Sequence, residues 1–392
     1  MKILFMADVP CNPDSGAAGT EYQTIEAMRT LGHDVEAVWA DELSSKISHG
    51  NLHYILELPR TYEKQMLNKF RHKSFDVIHV NQPHGYRAAQ TLQKLKRQSI
   101  FIHRSHGLEM RHERELSAWQ KVYHEDPRSY PRRLASKVMS RALAYNSRSI
   151  ARFADGHIVS ARQCKDFMRE NLCVPEERIA VIPQAPPLAF SERAPAAMTA
   201  ERLNHVLYVG QYDFVKAPMI VAEVINRLSE ANERLEFTWV CAQQHHVQVQ
   251  ELLSPEARKR IDFLDWMPQD ELMRVYDEHG IFLFPSFVEG FGKVFLEAMS
   301  RGLCVVAADN SGAHDVIADG VNGMLSPTGC LETMVSQCLQ LAQPSQSAYA
   351  ISAAAAKSAR SYTWERVATE TVSFYHDRLN AKARELNTVR ID

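Results

Sequence analysis

Two glutamates eight positions apart, Glu289 and Glu297, stand in residues 284–308, FPSFVEGFGKVFLEAMSRGLCVVAA. The stretch reads as the end of a strand, a loop holding Glu289-Gly290-Phe291-Gly292, and a helix opening near Lys293. Gly290 and Gly292 let backbone come close to a ligand, and the first turn of a helix offers open N–H groups that suit a phosphate. A carboxylate accepts hydrogen bonds from hydroxyl groups, often from two neighbouring ones, so this layout lets one glutamate face a sugar and the other a ribose. The same spacing also arises by chance, with Glu297 merely solvating a helix face.

Residues 8–23, DVPCNPDSGAAGTEYQ, run from a first strand through a glycine-containing loop into a helix. There Gly16 and Gly19 would leave N–H groups open toward a phosphate or an acceptor, although Pro, Asp, Ser and Gly are also what a plain turn needs. The segment IHRSHGLE (102–109) ends a predicted strand in His106-Gly107, at the edge where open α/β sheets bind ligands. His103 and His112, among 17 histidines, read as structural. No Asp-x-Asp pair occurs, and His245 and His246 are adjacent, a spacing that cannot present two ligands from one helix face. The residues therefore lead us to expect no metal and no resident cofactor.

Residues 284–308 closely resemble the E-x7-E signature of retaining family 4 glycosyltransferases of the GT-B fold (glycosyl transferases group 1), through Glu289, Gly290, Phe291, Gly292, Glu297, Ala298, Met299 and Gly302. Lys293 and Val294 stand where the family has Leu-Pro, and Cys304 where it has Pro. The resemblance implies that Glu297 holds the ribose hydroxyls, that Glu289 holds the donor sugar, and that Phe291 and Gly292 supply backbone contacts beside them. Residues 207–218, LYVGQYDFVKAP, resemble the strand-loop segment whose Arg and Lys neutralise the donor diphosphate; Lys216 is kept, while Gln211, after Gly210, replaces the arginine. Glutamine donates hydrogen bonds but supplies neither charge nor a guanidinium fork. The glycine-rich loop of the family falls on Gly16 and Gly19, split here by Ala17 and Ala18, and the resemblance implies an active-site histidine at His106. Residues 311–327 and 362–375 resemble the following segment and the closing helix.

The elements that must position these residues are legible as hydrophobic runs. KILFMA, DVEAVWA, FDVIHV, SIFIHR and DGHIVS alternate with helical stretches, and after a gap HVLYVG, LEFTWVC, RIDFLDW, GIFLFPS and LCVVAAD do so again. The pattern predicts α/β architecture with two Rossmann-like domains facing across a cleft, and a chain of 392 residues is long enough for two cores. Residues 1–185 are expected to form an acceptor-binding domain, 186–203 a proline-rich linker, 204–363 a donor-binding domain, and 364–392 a helix crossing back to the first domain, with a tail.

A net charge of −2 speaks against a general nucleic-acid binder. Seven scattered cysteines without a Cys-x-x-Cys spacing read as reduced thiols, and residues 1–10 read as a strand rather than a signal peptide, so a cytoplasmic location is expected. Residues 127–154 carry Arg128, Arg132, Arg133, Lys137, Arg141, Arg148 and Arg152 and no acid, which suits a solvated face or peripheral contact with the inner face of a membrane.

The expected function is transfer of a sugar from a nucleotide-diphosphate donor to a glycan, lipid or small-molecule acceptor, with retention and without metal; His106, Glu289 and Lys216 are the expected catalytic groups. Alternatives are a non-catalytic protein of this fold that binds a nucleotide sugar or a partner transferase, a nucleotide-sugar epimerase and a phosphorylase. A dinucleotide oxidoreductase is disfavoured by the lack of G-x-G-x-x-G after the first strand.

Overall fold

A computed structural model describes residues 1–14, 16–43, 46–123 and 130–388. It divides into two compact units, Met1–Gln184 with Trp364–Asp392, and Ala185–Thr363. Each is built on a six-stranded sheet in which every pair of neighbouring strands is parallel.

In the first unit the strands are β1 (Lys2–Met6), β2 (Asp34–Val38), β3 (Val77–Asn81), β4 (Ile100–Ser105), β5 (Gly156–Val159) and β6 (Ile179–Val181), in the order β2-β1-β3-β4-β5-β6. Helices cover both faces of such a sheet, so its central strands are buried along their whole length and read as near-continuous apolar runs. That is why β3 and β4 were legible in the sequence, and why the polar side chains they carry, His79, Asn81, His103 and Arg104, lie inside the unit. Helix α1 (Gly16–Thr30) follows β1, and α2 (Glu109–Val122) and α3 (Tyr130–Phe153) lie between β4 and β5. The closing helix, Trp364–Thr388, belongs to this unit: it packs on α1 and β4, burying Thr371, Phe374 and Tyr375.

The second unit holds β7 (His205–Val209), β8 (Glu236–Val240), β9 (Ile261–Leu264), β10 (Ile281–Phe284), β11 (Cys304–Ala308) and β12 (Met324–Ser326), in the order β12-β11-β10-β7-β8-β9. The sheet grows from β7 in one direction through β8 and in the other through β10, so the switch point lies between β7 and β10. In open α/β sheets, crevices for ligands form beyond the carboxyl ends of strands at such points. Helix α4 (Lys293–Ser300) follows β10.

Residues 186–203, read as a linker from their prolines, are tied to the second unit. Phe190 is buried in its core beside Tyr276, with ring centroids 5.2 Å apart. The buried Arg301 donates to the carbonyls of Arg193 (2.7 Å) and Ala194 (3.0 Å) while pairing with Asp277 at 2.7 Å. Arg202 donates to the carbonyl of Ala196 at 2.7 Å. Two guanidinium groups thus satisfy backbone that proline leaves without ladder partners.

The edge strands β6 and β12 escaped the sequence reading because three residues are too few to show a period. None of the cysteines forms a disulfide. Among the described residues no helix is long and apolar enough to cross a membrane. Of the basic run, Arg128 lies outside the described residues, as do the side chains of Arg132 and Arg133; Lys137, Arg141, Arg148 and Arg152 are exposed on α3.

Candidate active site

In the second unit the predicted donor residues gather beyond the carboxyl ends of β7 and β10. Gly210 follows β7 directly, and a Cβ there would come within 2.5 Å of the Tyr208 hydroxyl, so any other residue would push that buried ring aside. Burial pushes the Tyr208 phenol up, and its hydroxyl donates to the carbonyl of Lys216 at 3.4 Å. Asp213 caps the next turn by accepting from the N–H of Val215 (3.2 Å), and Ala217, in the left-handed region at φ 53°, hands the chain to Pro218 and a new helix. This turn fixes the backbone of Lys216 and leaves Gln211 exposed.

The loop after β10 is built from below. The N–H of Phe287 donates to the carbonyl of Val215 at 2.9 Å, joining the two loops. Ser311 donates to the Glu289 carbonyl at 2.5 Å, and Asn310 donates to the Ser286 carbonyl at 2.8 Å. Gly312 lies so close beneath Phe291 that a Cβ would stand 2.4 Å from its carbonyl oxygen. The Phe291 ring is buried in the core, which leaves its backbone for any ligand contact. Gly292 caps α4 at φ 92°, where a Cβ would meet Phe284 at 2.4 Å; Gly290, Lys293 and Val294 are half-buried around it.

Two carboxylates result, and their surroundings differ. Glu289 pairs with Lys216, Oε1 to Nζ, at 2.5 Å. A cation and an anion that were both expected to meet the donor therefore meet each other. Glu297 is buried on α4, where it accepts from the Tyr276 hydroxyl at 3.2 Å. Burial pushes its carboxyl above the usual range, while Lys293 and the Tyr276 hydrogen bond pull the other way. Such a carboxylate is prepared for a ligand that brings its own hydroxyl donors.

In the first unit His106 stands just past β4. Its Nε2 bonds to Oε1 of Glu21, a fully buried carboxylate on α1, and its Nδ1 lies 3.4 Å from Gln184 Nε2. Burial alone would push Glu21 up; His106, then Arg104, outweighs it and holds the carboxyl at about 2. Glu21 Oε2 and Arg104 Nη2 have no hydrogen-bond partner. His79 donates or accepts at the Tyr375 hydroxyl (2.5 Å), and burial, opposed by Glu21, takes its imidazole down to about 3. His103 pairs with His157 at 3.1 Å inside the sheet and is structural, as read; His112 lines a cavity on α2.

Gly16 and Gly19 differ from their expected place: both are in α1, not in a loop before it. A Cβ on Gly19 would lie 2.5 Å from the Pro13 carbonyl, so this glycine admits the preceding turn against the helix. Glu21, Gln184 and Tyr276 were not singled out in the sequence. Glu21 stands two residues after Gly19, but its partner is 85 positions away. Among the described residues no three His, Cys, Asp or Glu side chains converge as a metal-ligand set.

Comparisons with known proteins agree with this division. Residues 15–186 match the model of Glycosyltransferase Family 4, and residues 204–344 that of Glycosyl transferases group 1. The D-inositol 3-phosphate glycosyltransferase of Corynebacterium glutamicum (strain R) is 33% identical over 119 residues, 30% of this chain and 28% of that protein. The match thus spans less than a third of the relative's length. Among solved structures, sucrose-phosphate synthase from Thermosynechococcus elongatus superposes with a TM-score of 0.73 at 17% identity, over 97% of this chain and 100% of that one. The catalytic domain of starch synthase IV from Arabidopsis thaliana does so with a TM-score of 0.70 at 10% identity, over 97% and 99%.

Proposed function

Since this chain belongs to the family 4 (group 1) glycosyltransferases of the GT-B fold, we propose that it moves a sugar from a nucleotide-diphosphate donor to a hydroxyl of its acceptor, with retention and without metal. The observation that carries the proposal is the gathering of Lys216, Glu289 and Glu297 at the switch point between β7 and β10. The starch synthase IV domain is described as bound to ADP and acarbose, which fits a nucleotide on the same type of unit.

In this reading the buried Glu297 accepts hydrogen bonds from the ribose hydroxyls, and Glu289 from hydroxyls of the donor sugar. The N–H groups opening α4 face the diphosphate. Negative charge grows on the departing phosphate, so a cation there stabilises the transition state more than the ground state. Lys216 exchanges Glu289 for that phosphate when donor binds. Gln211 supplies no charge; Lys293, in the first turn of α4 and near enough to depress Glu297, is the second cation. No carboxylate stands out as a nucleophile, so attack comes from the face the phosphate leaves, and His106, buttressed by Glu21, is the catalytic group that the first unit offers in this reading.

Purified protein titrated with UDP-, GDP-, ADP- and TDP-sugars in chelator should bind one donor and hydrolyse it slowly. Lys216→Ala should lower turnover roughly 100-fold, the usual cost of one transition-state charge contact. A folded sample that binds no donor would sink the transferase reading in favour of a non-catalytic protein.

A further inference from the structure

His106 is held from three sides within the first unit. It stands one residue past β4, in a turn tied by the N–H of Gly107, which donates to Ser105 Oγ at 3.3 Å. Its Nε2 bonds to Oε1 of Glu21 on α1, and its Nδ1 lies 3.4 Å from the amide nitrogen of Gln184, three residues past β6. The imidazole is 14% exposed and the Glu21 carboxylate 0%, so the open part of the ring lies away from Nε2.

Which ring nitrogen carries the hydrogen follows from its partners. An ionised carboxylate only accepts, so the nitrogen that faces it must donate. Burial alone would push Glu21 up, but His106, then Arg104, holds it at about 2, so it is ionised near neutral pH. Arg104 on β4 is buried and donates to the hydroxyl of Thr24 on α1 at 3.2 Å. Two further imidazoles close by, His79 and His103, are taken down to about 3 by burial, so neither brings a charge near neutral pH. On the other side of the ring Thr20 Oγ1, also on α1, donates to the amide oxygen of Gln184 at 3.5 Å, which leaves the Gln184 NH2 turned toward Nδ1. The neutral ring therefore has its hydrogen on Nε2 and a lone pair at Nδ1.

A buried carboxylate costs desolvation that an apolar side chain in its place would avoid. What Glu21 supplies is one orientation and one tautomer for a ring that reaches the surface. We propose that Glu21 is a positioning residue of the transfer reaction: it holds His106 as the Nε2–H imidazole, so that Nδ1 accepts a hydrogen bond from a sugar hydroxyl, which takes the place of the Gln184 amide. An acceptor atom there selects for hydroxyl groups, because an ionised phosphate or carboxylate oxygen has no hydrogen to give it. The inference rests on the transferase reading in taking the ligand to be a sugar.

The tautomer is read without any substrate. Two-bond nitrogen–proton correlation spectra of the full-length protein, with isotope-labelled histidine and His106 assigned by its loss in His106→Ala, show which nitrogen is protonated once the ring is neutral; Nε2 is expected. In Glu21→Gln the amide can turn either its oxygen or its NH2 to the ring, so the second tautomer should appear. With the nucleotide sugar that the protein hydrolyses, Glu21→Gln should lower kcat roughly tenfold or more and leave KM within about twofold, as loss of a contact that tightens in the transition state does. The same substitution in a His106→Ala background should cost no more than about twofold further, because Glu21 acts through the ring. An Nδ1–H ring in the wild type, a single unchanged tautomer in Glu21→Gln, or an equal loss of turnover in both backgrounds overturns the proposal. The two readings fail separately: no turnover of any donor sinks the transferase even with the expected tautomer, while donor turnover with an Nδ1–H ring sinks only the role of Glu21.

Discussion

Glu21 is a carboxylate inside a sheet domain, held ionised by a histidine on one side and an arginine on the other. Its folded-state value, about 2, lies below the ordinary 4.5, so its contribution to stability is complete above about pH 4.5 and fades as pH falls toward 2. The shift corresponds to roughly 3 kcal/mol. Urea unfolding of the first unit should therefore show wild-type protein losing roughly 3 kcal/mol between pH 5 and 2 that Glu21→Gln does not lose. Equal acid sensitivity in the two proteins would show that the carboxylate is not the titrating group. Nothing local marked this residue. Glu289, Glu297 and Lys216 were legible as candidates because they lie in short motifs, whereas Glu21 acquires its surroundings only through His106 and Arg104, which the strand order brings beside α1.

Loops and helix ends decide how the donor residues are held. The loop carrying Glu289 and the first turn of α4 rest on residues 310–312, with Gly312 against Phe291 and Ser311 under Glu289. Phe291 is core backbone and cannot swing aside cheaply, so Gly312→Ala should destabilise the second unit by roughly 1–3 kcal/mol, as overpacking does. Because the same displacement moves Glu289, donor affinity should fall more than fits the loss of folded protein; unchanged affinity by calorimetry would uncouple the prop from the site. At this scale the sequence was a good guide. A glycine loop between an apolar run and an amphipathic one has few local solutions, and α4 begins at Lys293 as expected. The exceptions were Gly16 and Gly19, where a plain turn composition was continued by helix because the close approach of Pro13 needs a glycine inside the first turn.

For the molecule as a whole, the closing helix is part of the first unit although it follows the second in the chain. It buries Trp364, Val367, Ala368, Thr371 and Tyr375, and its Tyr375 hydroxyl bonds to Nδ1 of His79 in the middle of the first sheet. A chain ending at Thr363 should lose hydrogen-exchange protection in β1, β3 and β4 while β7, β10 and β11 keep theirs. Loss in both units together would mean that they unfold as one.

What this sequence determined by itself was local: the α/β class, ten of the strands, the start of α4, and the Glu289 and Glu297 motif. Buried parallel strands write themselves as apolar runs, and loop chemistry is carried by neighbours in the chain. What only the tertiary structure decided was pairing: Lys216 with Glu289, Glu21 with His106, and Arg301 with the proline-rich stretch. Those depend on strand order and on which helix faces meet. Hydrogen bonds and ion pairs act over a few ångströms in space, whatever the separation in sequence, so no local pattern announces them.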